Sequence, residues 1–287
     1  MTLYGPIGRK ENKLKIKDYA EITYIEEGKG KSPTIIQSQW YPNTYDLLVG
    51  EMAKHFHVIF IPGRFVGPFY KFDPAGNPSM MKTWAEDVYR LSRELGIDKF
   101  VYAGQCHGSH IGWQLLYDHP EVLKGFVAIN KMSPWAVRSW KLLDMDPRKE
   151  FVAFIMNPKT TPEQRVEAYK KQHHPHDPAW LQRRIEAQRY MAPESRAIMN
   201  VMERPLANQI HDEVEMVAWL SKVKVPVLQV FGVQDTGLDD NLWIMNARTI
   251  PGTKMVSYQD ESHFMFAEAP DKVVAEMQLF FAQKNIT

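Results

Sequence analysis

Cysteine is nearly absent: the 287-residue chain has one, Cys106. No intramolecular disulfide can form, and a reducing, cytoplasmic setting is expected. Long hydrophobic runs are missing too. No stretch of about 18 apolar residues occurs, so no membrane-spanning helix is expected. The opening MTLYGPIGRKENKLKIKDYA lacks the apolar run of a secretory leader. Neither sign of charge is in excess, since 35 Lys and Arg stand against 34 Asp and Glu. A nucleic-acid or membrane surface needs a basic excess or stripe, so neither partner is expected. Internal repeats and low-complexity tracts are absent. His173, His174 and His176 cluster between prolines, but no carboxylate or cysteine pattern completes a ligand set. That cluster reads as a solvated loop, and neither a metal nor a cofactor is expected.

What is present is ordinary globular composition, 44% apolar and 24% charged. A chain of this length buries a large core without covalent staples. The order of elements is more telling. Residues 13–26 alternate as two short strands, and 34–37 is a short apolar run followed by a loop over 38–44. Residues 57–61 (HVIFI) form a buried strand stopped by Pro62 and Gly63. Trp84, Val88, Leu91 and Leu95 recur at helical spacing, with Gly96 ending the helix. A strand over 100–103, a helix over 107–117 and a strand over 125–129 follow. The alternation stops near Lys131 and resumes after Lys222. It continues with a strand at 225–231, a helix at 240–249, a strand at 254–258 and a last amphipathic helix at 272–283. Such alternation predicts an α/β fold with a mostly parallel central sheet flanked by helices. Residues 1–130 and 223–287 are its two parts, and 131–222 is a helical cap inserted between them.

Three short segments carry chemistry. Gly104-Gln105-Cys106-His107-Gly108 lies between an expected strand and an expected helix. That is the setting of a sharp turn that lifts a nucleophile above a sheet, and its small neighbours leave the room. A helix N-terminus beneath a thiol also lowers its pKa. Taken alone, a lone cysteine is more often a small buried hydrophobe; the flanking glycines and strand–turn–helix context reverse that preference. Asp235 ends Gly232-Val233-Gln234-Asp235, directly after a strand, where a carboxylate points to the active edge of a parallel sheet. A turn aspartate is the plain alternative, and Asp239 and Asp240 lie nearby. His263 follows the next strand, ahead of Glu268-Ala269-Pro270.

Their order, nucleophile then acid then histidine after successive strands, resembles the α/β-hydrolase superfamily from about Leu14 to Gln283. The resemblance implies Cys106 as nucleophile, His263 as general base and acid, and Asp235 as the group orienting the imidazole. Cysteine stands where serine is usual, whether native or introduced in its place. The resemblance also implies an oxyanion hole from the backbone N–H of His107 and one N–H of the loop after residue 37, placed at Trp40 with Gln39 or Tyr41 as alternatives. Gln39, Tyr41, Trp135, Trp140 and Phe264 are the expected substrate-facing side chains.

A thiolate attacks carbonyls well but is itself a good leaving group. With an amide, the tetrahedral intermediate reverts by expelling sulfur. An ester, lactone or thioester of a small, largely apolar molecule is therefore the expected substrate. The cysteine-bearing turn resembles that of dienelactone hydrolases and polyhydroxyalkanoate synthases. Cys-His-Gly and the Gln39-Trp40 loop also resemble the cofactor-independent dioxygenases that cleave hydroxyquinolone rings. Those take their acid from the end of the strand before the cap, where this chain has Asn130. A non-catalytic ligand-binding homologue is a third reading, and a homodimer is left open. If the cap is a lid, substituting Trp135 or Trp140 will change kcat/KM between substrates while leaving Cys106 labelling intact. A change in association state with an unchanged substrate ranking would instead make it an oligomer contact.

Overall fold

The computed structural model describes residues 9–39, 46–63, 80–130, 159–173, 175–177, 209–235 and 240–287, with isolated positions 134, 150, 154, 157 and 206. Eight strands make one sheet: β1 Asn12–Lys15, β2 Glu21–Glu27, β3 Thr34–Gln39, β4 His57–Pro62, β5 Phe100–Gln105, β6 Leu123–Ile129, β7 Val227–Gly232 and β8 Lys254–Tyr258. Their order is β1-β2-β4-β3-β5-β6-β7-β8. β1 pairs antiparallel with β2 and β2 antiparallel with β4; every other pairing is parallel. The sheet is mostly parallel, as the alternation predicts.

The burial of each strand follows its place. All six residues of β5 and all six of β7 are buried, because parallel central strands are covered on both faces. β1 and β8, at the two edges, alternate between more and less exposed positions. The helices are α1 Asp46–Ala53, α2 Met80–Glu94, α3 His107–Asp118, α4 Pro162–His173, α5 Glu213–Leu220, α6 Asp240–Thr249, α7 Met265–Glu268 and α8 Pro270–Lys284. α2 packs on α3, and α1 on α8. At the second contact the Phe56 and Phe281 rings meet edge-on, 5.4 Å between centroids. No described helix is long and apolar enough to cross a membrane.

After β3 the chain turns one way to β4, and then returns past β3 to β5. The crossovers therefore part company at β3 and β5, and the carboxyl ends of strands at such a switch point are where open parallel sheets bind ligands. Between β6 and β7 the described regular elements are the helices α4 and α5, with no strand among the described residues. This segment is tied to α3. Gln114 Oε1 accepts from the Leu206 N–H at 2.9 Å, and Gln209 Nε2 donates to Asp118 Oδ1 at 2.8 Å. The His-His-x-His cluster begins at the last residue of α4; His176 is exposed, and no set of three or more His, Cys, Asp or Glu placed to hold one metal ion occurs among the described residues.

α3 is pinned to the sheet from below. Tyr102 on β5 is fully buried, and its hydroxyl donates to Gly108 O at 2.9 Å and lies 3.3 Å from Ser38 O. Tyr102→Phe is expected to cost about 1–3 kcal/mol in urea unfolding, the range for losing a buried donor. An unchanged midpoint would show that the hydroxyl does not anchor the helix.

Candidate active site

β5 ends at Gln105, and α3 starts at His107. Cys106 alone makes the turn, at φ 52° and ψ −123°, a backbone that side-chain-bearing residues rarely adopt. The turn closes because residues 104 and 108 carry no side chain. A Cβ on Gly104 would lie 2.4 Å from Gly108 O, and one on Gly108 would lie 2.7 Å from Ser38 O. Backbone bonds hold the strain: Cys106 N donates to Ile129 O at 3.2 Å, and Ser109 N to Cys106 O at 2.9 Å. The Ser109 hydroxyl donates to Gly104 O at 2.7 Å. Cys106 is left half-buried at the head of α3.

His263 and Asp235 arrive from the ends of β8 and β7. Their loops cross closely, since a Cβ on Gly232 would lie 2.2 Å from Glu261 O. Gln234 N donates to Glu261 O at 3.0 Å across the same junction. His263 Nδ1 lies 2.7 Å from Asp235 Oδ2, with the aspartate fully buried. Asn130, at the end of β6 with φ 66°, donates its side-chain amide to the His263 carbonyl. The Phe264 N–H donates to Ser262 Oγ at 2.9 Å, and that hydroxyl donates to Glu268 Oε2 at 2.6 Å. Glu268 Oε1 accepts from the N–H groups of His176 and Asp177 at 2.6 and 3.0 Å. The histidine loop is thereby joined to the segment between β6 and β7.

The electrostatics follow from these contacts. Burial raises the Cys106 thiol, but His107 and His263 outweigh it and hold the group well below the usual thiol range. Burial disfavours a charged His263, yet the Asp235 carboxylate, followed by the Cys106 sulfur, pushes its pKa up to about 10. Each of the two groups favours the charged form of the other.

The structure thus brings Cys106, His263 and Asp235 together. His107 opens α3, where first-turn N–H groups have no partner within the helix. Trp40, Tyr41, Trp135, Trp140 and Asp239 lie outside the described residues, and Asp240 opens α6. Two residues expected to face substrate do other work. Gln39 belongs to β3 rather than to a loop, is fully buried, and donates through Nε2 to Gln105 O at 2.7 Å. Phe264 is 2% exposed, and its ring stands edge-on to His263 at 5.2 Å. The first braces the turn and the second backs the imidazole. The Asn130, Ser262 and Glu268 contacts were not anticipated. Only their closeness in sequence to the motifs could have pointed to them.

The alpha/beta hydrolase fold family matches residues 68–270 of the chain. No match is found among curated proteins. Among solved structures, the carboxylesterase CesB (YbfK) of Bacillus subtilis is similar at 17% identity and TM-score 0.69, over 97% of this chain and 93% of that one. Est816, described as an N-acyl homoserine lactone degrading enzyme, is 19% identical at TM-score 0.66, over 94% of this chain and 100% of that one. A hydrolase of Pseudomonas aeruginosa PA01 is 17% identical at TM-score 0.71, over 95% and 98%. At such identities the structural likeness speaks for the fold alone, whereas the family match spans more than two thirds of the sequence. The chain belongs to the alpha/beta hydrolase fold family.

Proposed function

We propose that this α/β hydrolase cleaves an ester, lactone or thioester of a small, largely apolar molecule through a Cys106 thioester intermediate. The observation that carries the reading is the alignment of Asp235, His263 and Cys106, with the thiol and imidazole shifted toward an ion pair. Cys106 is the nucleophile, already ionised in the resting site. His263 carries the proton that the leaving group takes, and Asp235 fixes the ring by its bond to Nδ1. The backbone N–H of His107 and one N–H near Trp40 receive the developing oxyanion.

The choice of acyl substrate rests on the chemistry of sulfur as a leaving group. It agrees with a carboxylesterase and a lactone-degrading enzyme among the structural neighbours. The dioxygenase reading places the acid at position 130. That position holds an amide donating to the His263 carbonyl, while the imidazole already faces Asp235. Hydrolysis is therefore preferred, and oxygen uptake with a ring substrate would reverse the preference. Residues 131–222 serve as a lid. In support, Glu268 bonds the backbone at His176 and Asp177 beside the histidine loop.

Two measurements test this reading. The first is the pH dependence of Cys106 alkylation by iodoacetamide. The shift is downward, so thiolate is present above a lowered pKa and lost only when the pH falls through it. From pH 8 to 6 a free thiol slows roughly 100-fold, while Cys106 is expected to slow by no more than about threefold. Denatured protein, showing the ordinary dependence, is the control. The second is turnover of an ester, lactone and thioester panel. Cys106→Ala and His263→Ala should each lower kcat by on the order of 10³, with the double variant little worse. Asp235→Asn should be comparably severe, because it frees the ring to turn. Near-full activity in Asp235→Asn would remove Asp235 from the proposed role.

A further inference from the structure

One ring at the sulfur favours the thiolate but has been given no step in the reaction. His107 Nδ1 lies 3.3 Å from Cys106 Sγ. The same ring stands edge-on to His110, one turn along α3, with centroids 5.8 Å apart and planes at 86°. His110 is buried, so this contact fixes the His107 ring from behind. The residue thus meets the site twice: its backbone N–H opens the helix, and its side chain turns back to the sulfur.

We propose that His107 is a second catalytic imidazole, which donates from Nδ1 to the Cys106 sulfur and receives the thiolate as the acyl-enzyme breaks down. The inference rests on Cys106 being the nucleophile. In acylation the sulfur–carbon bond forms, the bond from carbon to the leaving oxygen breaks, and the His263 proton goes to that oxygen. In deacylation water attacks the thioester carbonyl, and neutral His263 takes one of its protons. The carbon–sulfur bond then breaks, its electron pair returns to sulfur, and the product acid keeps the water oxygen. The resting thiolate–imidazolium pair is restored. In this last step sulfur is the leaving group, and a thiol of lower pKa leaves faster. An N–H given to the sulfur by a second ring provides that without competing for the His263 proton.

Among the described residues, the polar groups at this end of the sheet come from several elements. α3 offers His107 and His110, the loops after β7 and β8 offer Asp235 and His263, and β3 and β6 offer the uncharged Gln39 and Asn130. Asp235 is bonded to His263; among the described residues, His107 is a contact whose removal changes the sulfur without touching the Asp235–His263 bond.

The test compares His107→Phe, His107→Gln and His107→Asn, each checked for native fold by circular dichroism. Asparagine places an amide N–H near the position of Nδ1. Glutamine places it farther out, and phenylalanine has none. With p-nitrophenyl acetate in stopped flow, the Phe and Gln variants are expected to release one nitrophenolate per chain in a burst. Steady turnover should then fall about tenfold or more below wild type, because loss of the donor slows thiolate departure. The Asn variant should recover to within a few-fold. In the iodoacetamide profile, the thiol inflection of Phe and Gln variants should rise by about one pH unit, and that of Asn should not. Should Phe disturb the turn, Gln carries the comparison alone. Superimposable profiles and no burst in Phe and Gln would overturn the proposal, as would an Asn variant no better than Gln. If the wild type turns over no ester and Cys106→Ala changes nothing, the hydrolytic reading fails. The alkylation profiles still decide whether His107 holds the sulfur.

Discussion

The site depends on how closely the first turn of α3 lies over the end of β5. At Gly104 only a hydrogen fits beneath the backbone of Gly108 and Ser109. That approach leaves Cys106 to make the whole reversal from strand to helix in one residue, at a positive φ. Its cost is met by bonds around it: Ser109 to Gly104, Gln39 to Gln105, and Tyr102 to Gly108. The result is a sulfur at the positive end of a helix dipole, at the switch point where the sheet's crossovers diverge.

Charge alternates outward from the buried core. The Asp235 carboxylate is fully buried, and an isolated carboxylate there would be very costly. Its pairing with His263 offsets that cost and stabilises the ring in its protonated form. The charged ring in turn favours the thiolate. No member of this chain is comfortable alone, since removing one leaves an unpaired charge in a poorly solvated place. The fold meets the requirement through the crossing of the β7 and β8 loops at Gly232, where any side chain would hold the two loops apart.

Much of this was legible in the chain because the strands are simple. Residues 240–249 and 254–258 match α6 and β8 to the residue, and the two glycines around Cys106 mark the turn before any coordinates. Two helices were not legible. α1 contains Gly50, which interrupts its pattern, and α7 has four residues, too few for a period. Strand β3 runs two residues past its expected end, because Ser38 and Gln39 look like loop residues until the buried partner of Gln39 is known. The side chains that steady the site were hidden for a related reason. Asn130 and Glu268 act through backbone groups and hydroxyls brought near by the fold, and such pairings leave no spacing to read.

Asn130 also bears on how sites of this kind diverge. Its amide donates to the His263 carbonyl, so an aspartate of nearly the same shape would set an acceptor against an acceptor. With the acid at 235, position 130 must supply a donor. Moving the acid to 130 would require the histidine to rotate and its carbonyl to find another partner. Exchanging Asn130 alone for aspartate would therefore remove a brace of the histidine loop without placing a carboxylate at Nδ1.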